Sequence, residues 1–172
     1  MEQTSVVRAA LIVAAAALVD AVLVPYLTFG WISPNLTLLA IVFAVAPLRD
    51  LQAVLIGFFG GILLDALGGG LFGAGALGGL VAGTLAIRLA SSVRHKGTEK
   101  FVLAQVVALS VAAYDLIQLA AVRLAGLAGP PLGQYIIAGA LPDALLNALL
   151  AYAVGAPLLR ITRPKPRAWD GA

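Results

Sequence analysis

Six apolar stretches follow one another along this 172-residue chain, separated only by short polar or glycine- and proline-rich breaks. A helix needs about 20 mostly apolar residues to cross a hydrocarbon core, and only helices or closed barrels satisfy their backbone groups there. Repeats of that length, without the period-two alternation of a barrel, restrict the chain to an all-α integral membrane protein. Composition agrees, because 62% hydrophobic and 11% charged residues leave too little polar surface to coat a soluble domain of this size. The expected spans cover about 6–27, 33–47, 51–67, 74–90, 101–124 and 135–159, a six-helix bundle forming one domain over 1–172.

Arg8 and the alanine-rich run after it resemble the start of a signal peptide, but the apolar stretch continues past Asp20 to Leu27, which favours an uncleaved helix. Tyr26, Phe29 and Trp31 close it with aromatics suited to the headgroup zone. In the second span Ser33 is expected to cap the helix, with Pro34 in its first turn. That span reaches only about 20 Å, so it needs thinned bilayer or a cover of protein. The sixth span is expected to bend or restart at Pro142.

With no cysteine and one histidine, His95 in a polar loop, the chain offers no metal site, and no cofactor motif is present. The net charge of +3 does not indicate nucleic acid, because the basic residues flank membrane segments, where they set orientation. Six spans place Arg8, Arg49, Arg88, Arg94, Lys96, Lys100, Arg160, Arg163, Lys165 and Arg167 on one side, and Arg123 alone on the other. Both termini are therefore expected in the cytoplasm.

Spans three and four form a tight hairpin rich in glycine. Gly57 and Gly61, then Gly75, Gly79 and Gly83, recur four apart and line one face of each helix. Such faces serve either packing within the bundle or docking of a foreign transmembrane helix. The same hairpin carries Asp65, and an aspartate at the centre of a span costs about 2.5 to 3.5 kcal/mol unless it is solvated, paired or protonated. Asp20, Asp65 and Asp115 each lie 14 residues beyond the start of their spans, and Asp143 lies 16 before the end of its own. These acids, with Gln118 and Asn147 nearby, share a layer roughly 21 to 24 Å above the inner boundary. Arg123 is the one cation placed to neutralise an acid of that layer; the alternative is that the acids face an outward cavity or a partner.

At these residues the sequence resembles the MreD family of rod shape-determining proteins. SPNLTLLAIVFAV resembles the opening of that family's second span, GFFGGILLDALGGGLFG its glycine and aspartate hairpin, YDLIQLAAV its fifth span, and LLNALLAYAVGAPLLR its terminal helix. Asp65, Gly73, Asp115, Asn147 and Pro157 occupy the characteristic positions; the alanine-rich first helix and the triple glycine after Asp65 depart from the pattern. The resemblance implies a non-enzymatic component of the elongation complex in the bacterial cytoplasmic membrane, binding the transmembrane helix of MreC. Through MreC it would be linked to MreB filaments and to the polymerase and transpeptidase of lateral wall synthesis. It also implies the fold of the substrate-binding subunit of energy-coupling-factor transporters. Ala10 and Ala14 have the small-residue spacing such subunits use, which makes a vitamin-transport subunit the alternative function. An intramembrane aspartyl protease, prompted by Tyr114-Asp115, is more remote, since Asp65 follows Ile62-Leu63-Leu64 where such proteases have Gly-x-Gly.

Overall fold

A computed structural model describes residues 2–68, 71–90 and 99–162. Gly69 and Gly70, the loop residues Arg94, His95 and Lys96, and the tail residues Arg163, Lys165 and Arg167 fall outside these, as does their share of the charge asymmetry. The described residues are helical and form no β-strand beyond an isolated bridge between Phe29 and Ile32. In order they build α1 (Glu2–Leu27), α2 (Leu36–Val45), α3 (Asp50–Gly68), α4 (Ala74–Ala90), α5 (Glu99–Leu124), α6 (Leu132–Tyr135), a π turn (Ile136–Ala140) and α7 (Leu141–Thr162). Among the described residues four segments are long and apolar enough to cross a membrane: Ser5–Leu27, Asp50–Gly68, Lys100–Leu124 and Leu132–Gly155. Leu36–Val45 and Ala74–Leu89 are shorter apolar helices. The protein is a helical membrane protein.

The short α2 is the centre of the bundle. It has 10 residues, about 15 Å of helix, and Thr37 through Val45 are all buried. A helix apolar on every side must be covered on every side, and α2 packs against α1, α3, α4, α5 and α7. Phe43, Leu38 and Ile41 meet Leu103, Val106, Val107 and Val111 of α5 in one continuous core. Protein therefore covers the helix that is too short to span.

Two expected boundaries move. Asn35, not Ser33, caps α2, its side chain accepting from the Leu38 N–H at 2.9 Å, while Ser33 and Pro34 stay outside the helix. The irregularity in the last long helix lies one turn before Pro142 instead of at it. Proline lacks an N–H and its ring crowds the carbonyl four residues back. A π turn over Ile136–Ala140, closed by Leu141 N–H to Ile136 C=O, widens the helix at that point and lets α7 continue through Pro142.

The α3–α4 hairpin explains the glycines. A Cβ on Gly57 would strike the Gly79 carbonyl, one on Gly61 the Gly75 carbonyl, and one on Gly83 would stand 2.6 Å from the Ala53 carbonyl. Each step of four residues forward on α3 is matched by a step of four back on α4, as an antiparallel pair in backbone contact requires. Gly57, Gly61, Gly75, Gly79 and Gly83 are all buried. Of the two readings of these glycines, this contact fits packing within the bundle, since the hairpin's own backbone covers that face.

Candidate functional site

The glycine register also positions Asp65. Four residues beyond Gly61, it is the next rung of the ladder, at the level where α4 has only just begun. The first four N–H groups of any helix lack intrahelical acceptors. Here the Gly73 N–H donates to Asp65 Oδ2 at 2.8 Å, Gly75 N–H to Oδ1 at 2.7 Å and Ala76 N–H to Oδ2 at 3.1 Å. The remaining donor, Ala74 N–H, reaches the Leu71 carbonyl at 3.2 Å. Gly73 takes φ +105°, a backbone conformation that glycine adopts without steric cost. Asp65 is thus the cap of α4, and its negative charge or dipole faces the positive end of that helix.

Asp20 performs the same task for α2. It closes a buried stripe on α1, following Ala9, Val13 and Ala17 at near-helical spacing. Its Oδ1 accepts from Leu36 N–H at 3.1 Å, and its Oδ2 accepts from Thr37 N–H at 2.9 Å and from the Thr37 hydroxyl at 2.5 Å. From the far end of the chain, Asn147 Oδ1 accepts from Asn35 N–H at 2.6 Å and Asp143 Oδ1 from Ser33 N–H at 2.9 Å. The Asn147 amide donates in turn to the Ser33 carbonyl at 3.0 Å, the Asp143 carbonyl at 2.9 Å and Asp143 Oδ1 at 3.2 Å. Pro34 has no N–H, so every backbone donor from Ser33 to Leu38 is held by a carboxylate or carboxamide. A buried unpaired N–H costs about 1 to 3 kcal/mol, which is why a helix starting inside apolar surroundings needs this many acceptors.

Asp115 differs from the other three acids. It ends a buried stripe on α5, after Leu103, Val107 and Val111, but caps nothing. Its Oδ2 is buried with no hydrogen-bond partner among the described residues, and the Asp143 carboxyl is its neighbour. One helical turn on, Gln118 Nε2 donates to the Tyr114 hydroxyl at 2.8 Å.

Arg123 stands apart from the acids. Its guanidinium donates to the Pro130 carbonyl at 2.9 Å in an exposed position, so the expected neutralisation of an acid across helices is not what the structure shows. Two turns along α5 from Asp115, the side chain reaches forward to the following loop instead of inward. Asp65 and Asp115, the pair a protease would need, make separate arrangements, since both Asp65 oxygens accept from α4.

Of the four acids that sequence depth placed in one layer, Asp20 and Asp65 thus hold the first turns of α2 and α4, and Asp143 holds the segment before α2. The sequence matches the family of rod shape-determining protein MreD over residues 2–160. The chain belongs to the MreD family. No curated protein and no solved structure matches it. Membership ties the chain to the determination of rod cell shape, and three of the residues that carry the resemblance, Asp65, Gly73 and Asn147, are here parts of the starts of α4 and α2. What sequence reasoning missed was this capping role. The signal that could have revealed it was available: Asp65 stands four residues after Gly61 on the glycine face, opposite the predicted start of the next helix.

Proposed function

We propose that this protein is a non-enzymatic scaffold of the elongation complex in the bacterial inner membrane, a six-span bundle with both termini in the cytoplasm that receives the transmembrane helix of MreC. Through MreC it is joined to MreB filaments and to the polymerase and transpeptidase of lateral wall synthesis. The family match over 2–160 carries this reading. The capping geometry supports it, because Asp20 and Asp65 are engaged by backbone N–H groups in building the bundle. It also supports counting α2 and α4 as membrane segments: a short helix that begins at depth has to bring acceptors for its first turn. Kinship of the fold with the substrate-binding subunits of energy-coupling-factor transporters belongs to the same proposal.

With the glycine face covered, the docking surface falls to α1. That helix packs on α2 and α3 and turns Leu11, Leu18 and Val22 outward. Between α1 and α3 runs an apolar groove of about 350 Å³, where Ala10 and Ala14 leave room beside Leu55 and Phe59. Small residues let helix backbones approach, and close packing is a main attraction between helices in lipid. Ala14→Leu should fill the groove, leave accumulation of the protein unchanged and lower co-purification of MreC at least severalfold, with rounding of cells that depend on it. Undiminished MreC capture by this variant would overturn the assignment of the face. Cysteines at Gly129 and Lys100 test the topology: the first should label from outside intact cells and the second should not.

A further inference from the structure

A part-enclosed cavity of about 280 Å³ lies at the end of the bundle where α2 begins, bordered by α1, α3, α5 and the segment before α2. Its volume is several times the share of about 30 Å³ that one water occupies in the liquid. The polar residues lining it are Asp20, Ser33, Asn35 and Tyr114, and among the described residues no lysine or arginine lines it. Asp20 and Asn35 are 5% and 8% exposed, so the polar groups are built into the wall.

Their free valences define what fits. Asn35 uses its Oδ1 on Leu38 N–H, which leaves both amide protons to give. Tyr114 accepts from Gln118, an arrangement that aims the phenolic proton elsewhere. Ser33 adds a hydroxyl, and Asp20 Oδ1, with one bond from Leu36, keeps one lone pair. A wall rich in donors disfavours an ammonium, which has only donors, and a wall without cations beside a carboxylate disfavours a phosphate or carboxylate. What remains is an uncharged group with several oxygen acceptors and at least one O–H for Asp20. Val24 and Leu67, nearer the ends of α1 and α3, add apolar walls to the same cavity, and α1 turns Leu18 and Val22 outward beside them.

We infer that this cavity binds an uncharged, hydroxyl-bearing head group, that of a neutral glycerol-based or sugar-bearing lipid, with its chains lying along α1. The head group donates to Asp20 Oδ1 and accepts from Asn35, Tyr114 and Ser33. The head-group cavity shares no lining residue with the groove proposed for MreC.

The test uses the full chain in phosphatidylcholine nanodiscs, with bound lipid read by native mass spectrometry. Diacylglycerol and monoglucosyl diacylglycerol are compared with phosphatidylethanolamine and phosphatidylglycerol, and free glycerol and glucose are added as competitors. A neutral hydroxylated lipid should be retained at least tenfold over the other two. Ala21→Leu, which fills the cavity from α1, should reduce retention about tenfold, and Tyr114→Phe about threefold, neither residue being a cap of α2. Displacement by free glucose or glycerol at comparable concentration would support the same chemistry with a soluble polyol as its source. Preference for the ethanolamine or phosphate head, or equal retention by Ala21→Leu, would overturn the proposal. If Ala21→Leu fails to accumulate, Tyr114→Phe and Val24→Trp decide it, and retention unchanged in both counts against the site.

Discussion

In the α1–α2 hairpin the short helix opens beneath side chains from two other helices, Asp20 from α1 and Asp143 and Asn147 from α7, whereas in the α3–α4 hairpin one side chain, Asp65 of the helix just before, accepts from three N–H groups. Both hairpins face the same difficulty, a helix whose first turn lies among apolar groups. The connecting segments decide how each is met. Only a few residues separate α3 from α4, and backbone contact through glycine brings the helices close enough for one carboxylate to touch three N–H groups. Between α1 and α2 an eight-residue connection, turned at Gly30 with φ +65° and clasped by the Phe29–Ile32 bridge, holds the chain in extended form before the cap. Its N–H groups spread over a greater length, so acceptors come from more than one direction. A local cap is compact and has no substitute; a distributed cap ties distant helices together and shares its load.

Variants can break or sharpen that contrast. Gly79→Leu should have the largest effect, because its side chain would displace the Gly57 carbonyl and backbone cannot repack as a side chain can. A loss of at least about 4 kcal/mol, seen as failure to accumulate in the membrane, is expected. Normal accumulation would mean the hairpin is not held by backbone contact. Asp65→Ala comes next, leaving three donors unpaired at once, with a loss of about 3 kcal/mol or more in detergent unfolding. Asp65→Asn should recover only part, since its amide nitrogen would face a backbone N–H.

Asp20→Ala should cost about 2 kcal/mol, as the Leu36 and Thr37 N–H groups lose their acceptor while those of Ser33, Asn35 and Leu38 keep theirs. Equal losses for Asp20→Ala and Asp65→Ala, measured in the same detergent, would show that distribution confers no tolerance. The smallest effect belongs to Arg123→Ala, within about 0.5 kcal/mol of the parent, because an exposed bond to the Pro130 carbonyl is readily replaced by water.

Much of this was legible along the chain. Apolar lengths located the long helices, and α4 has the bounds its glycine and alanine pattern predicts, Ala74–Ala90. Counting along the helices brought Asp20, Asp65 and Asn147 to one end of the bundle. What each acid touches was not legible, because a donor on Thr37 and an acceptor on Asp20 are joined by a fold, not by a spacing. Ser33 and Asn35 are both good caps by residue type. The choice between them is made by Asp143 and Asn147, more than a hundred residues away. The glycine face was ambiguous for a different reason: period four permits close approach to any helix, and only the partner's position says which. Arg123 misled because proximity in depth says nothing of direction around the helix.

The distributed cap of α2 also bears on the order in which the protein is made. Asp20 precedes α2 in synthesis and can engage Leu36 and Thr37 as soon as the second helix emerges. The acceptors for Ser33 and Asn35 lie on α7, more than a hundred residues later. Until they arrive, the first hairpin holds two open donors and the central helix lacks one of its walls. Asn147 therefore acts as a latch that reaches the first hairpin only after α3, α4 and α5 have been made, and a nascent chain stopped before it should stay recognisable to membrane quality control as unfinished.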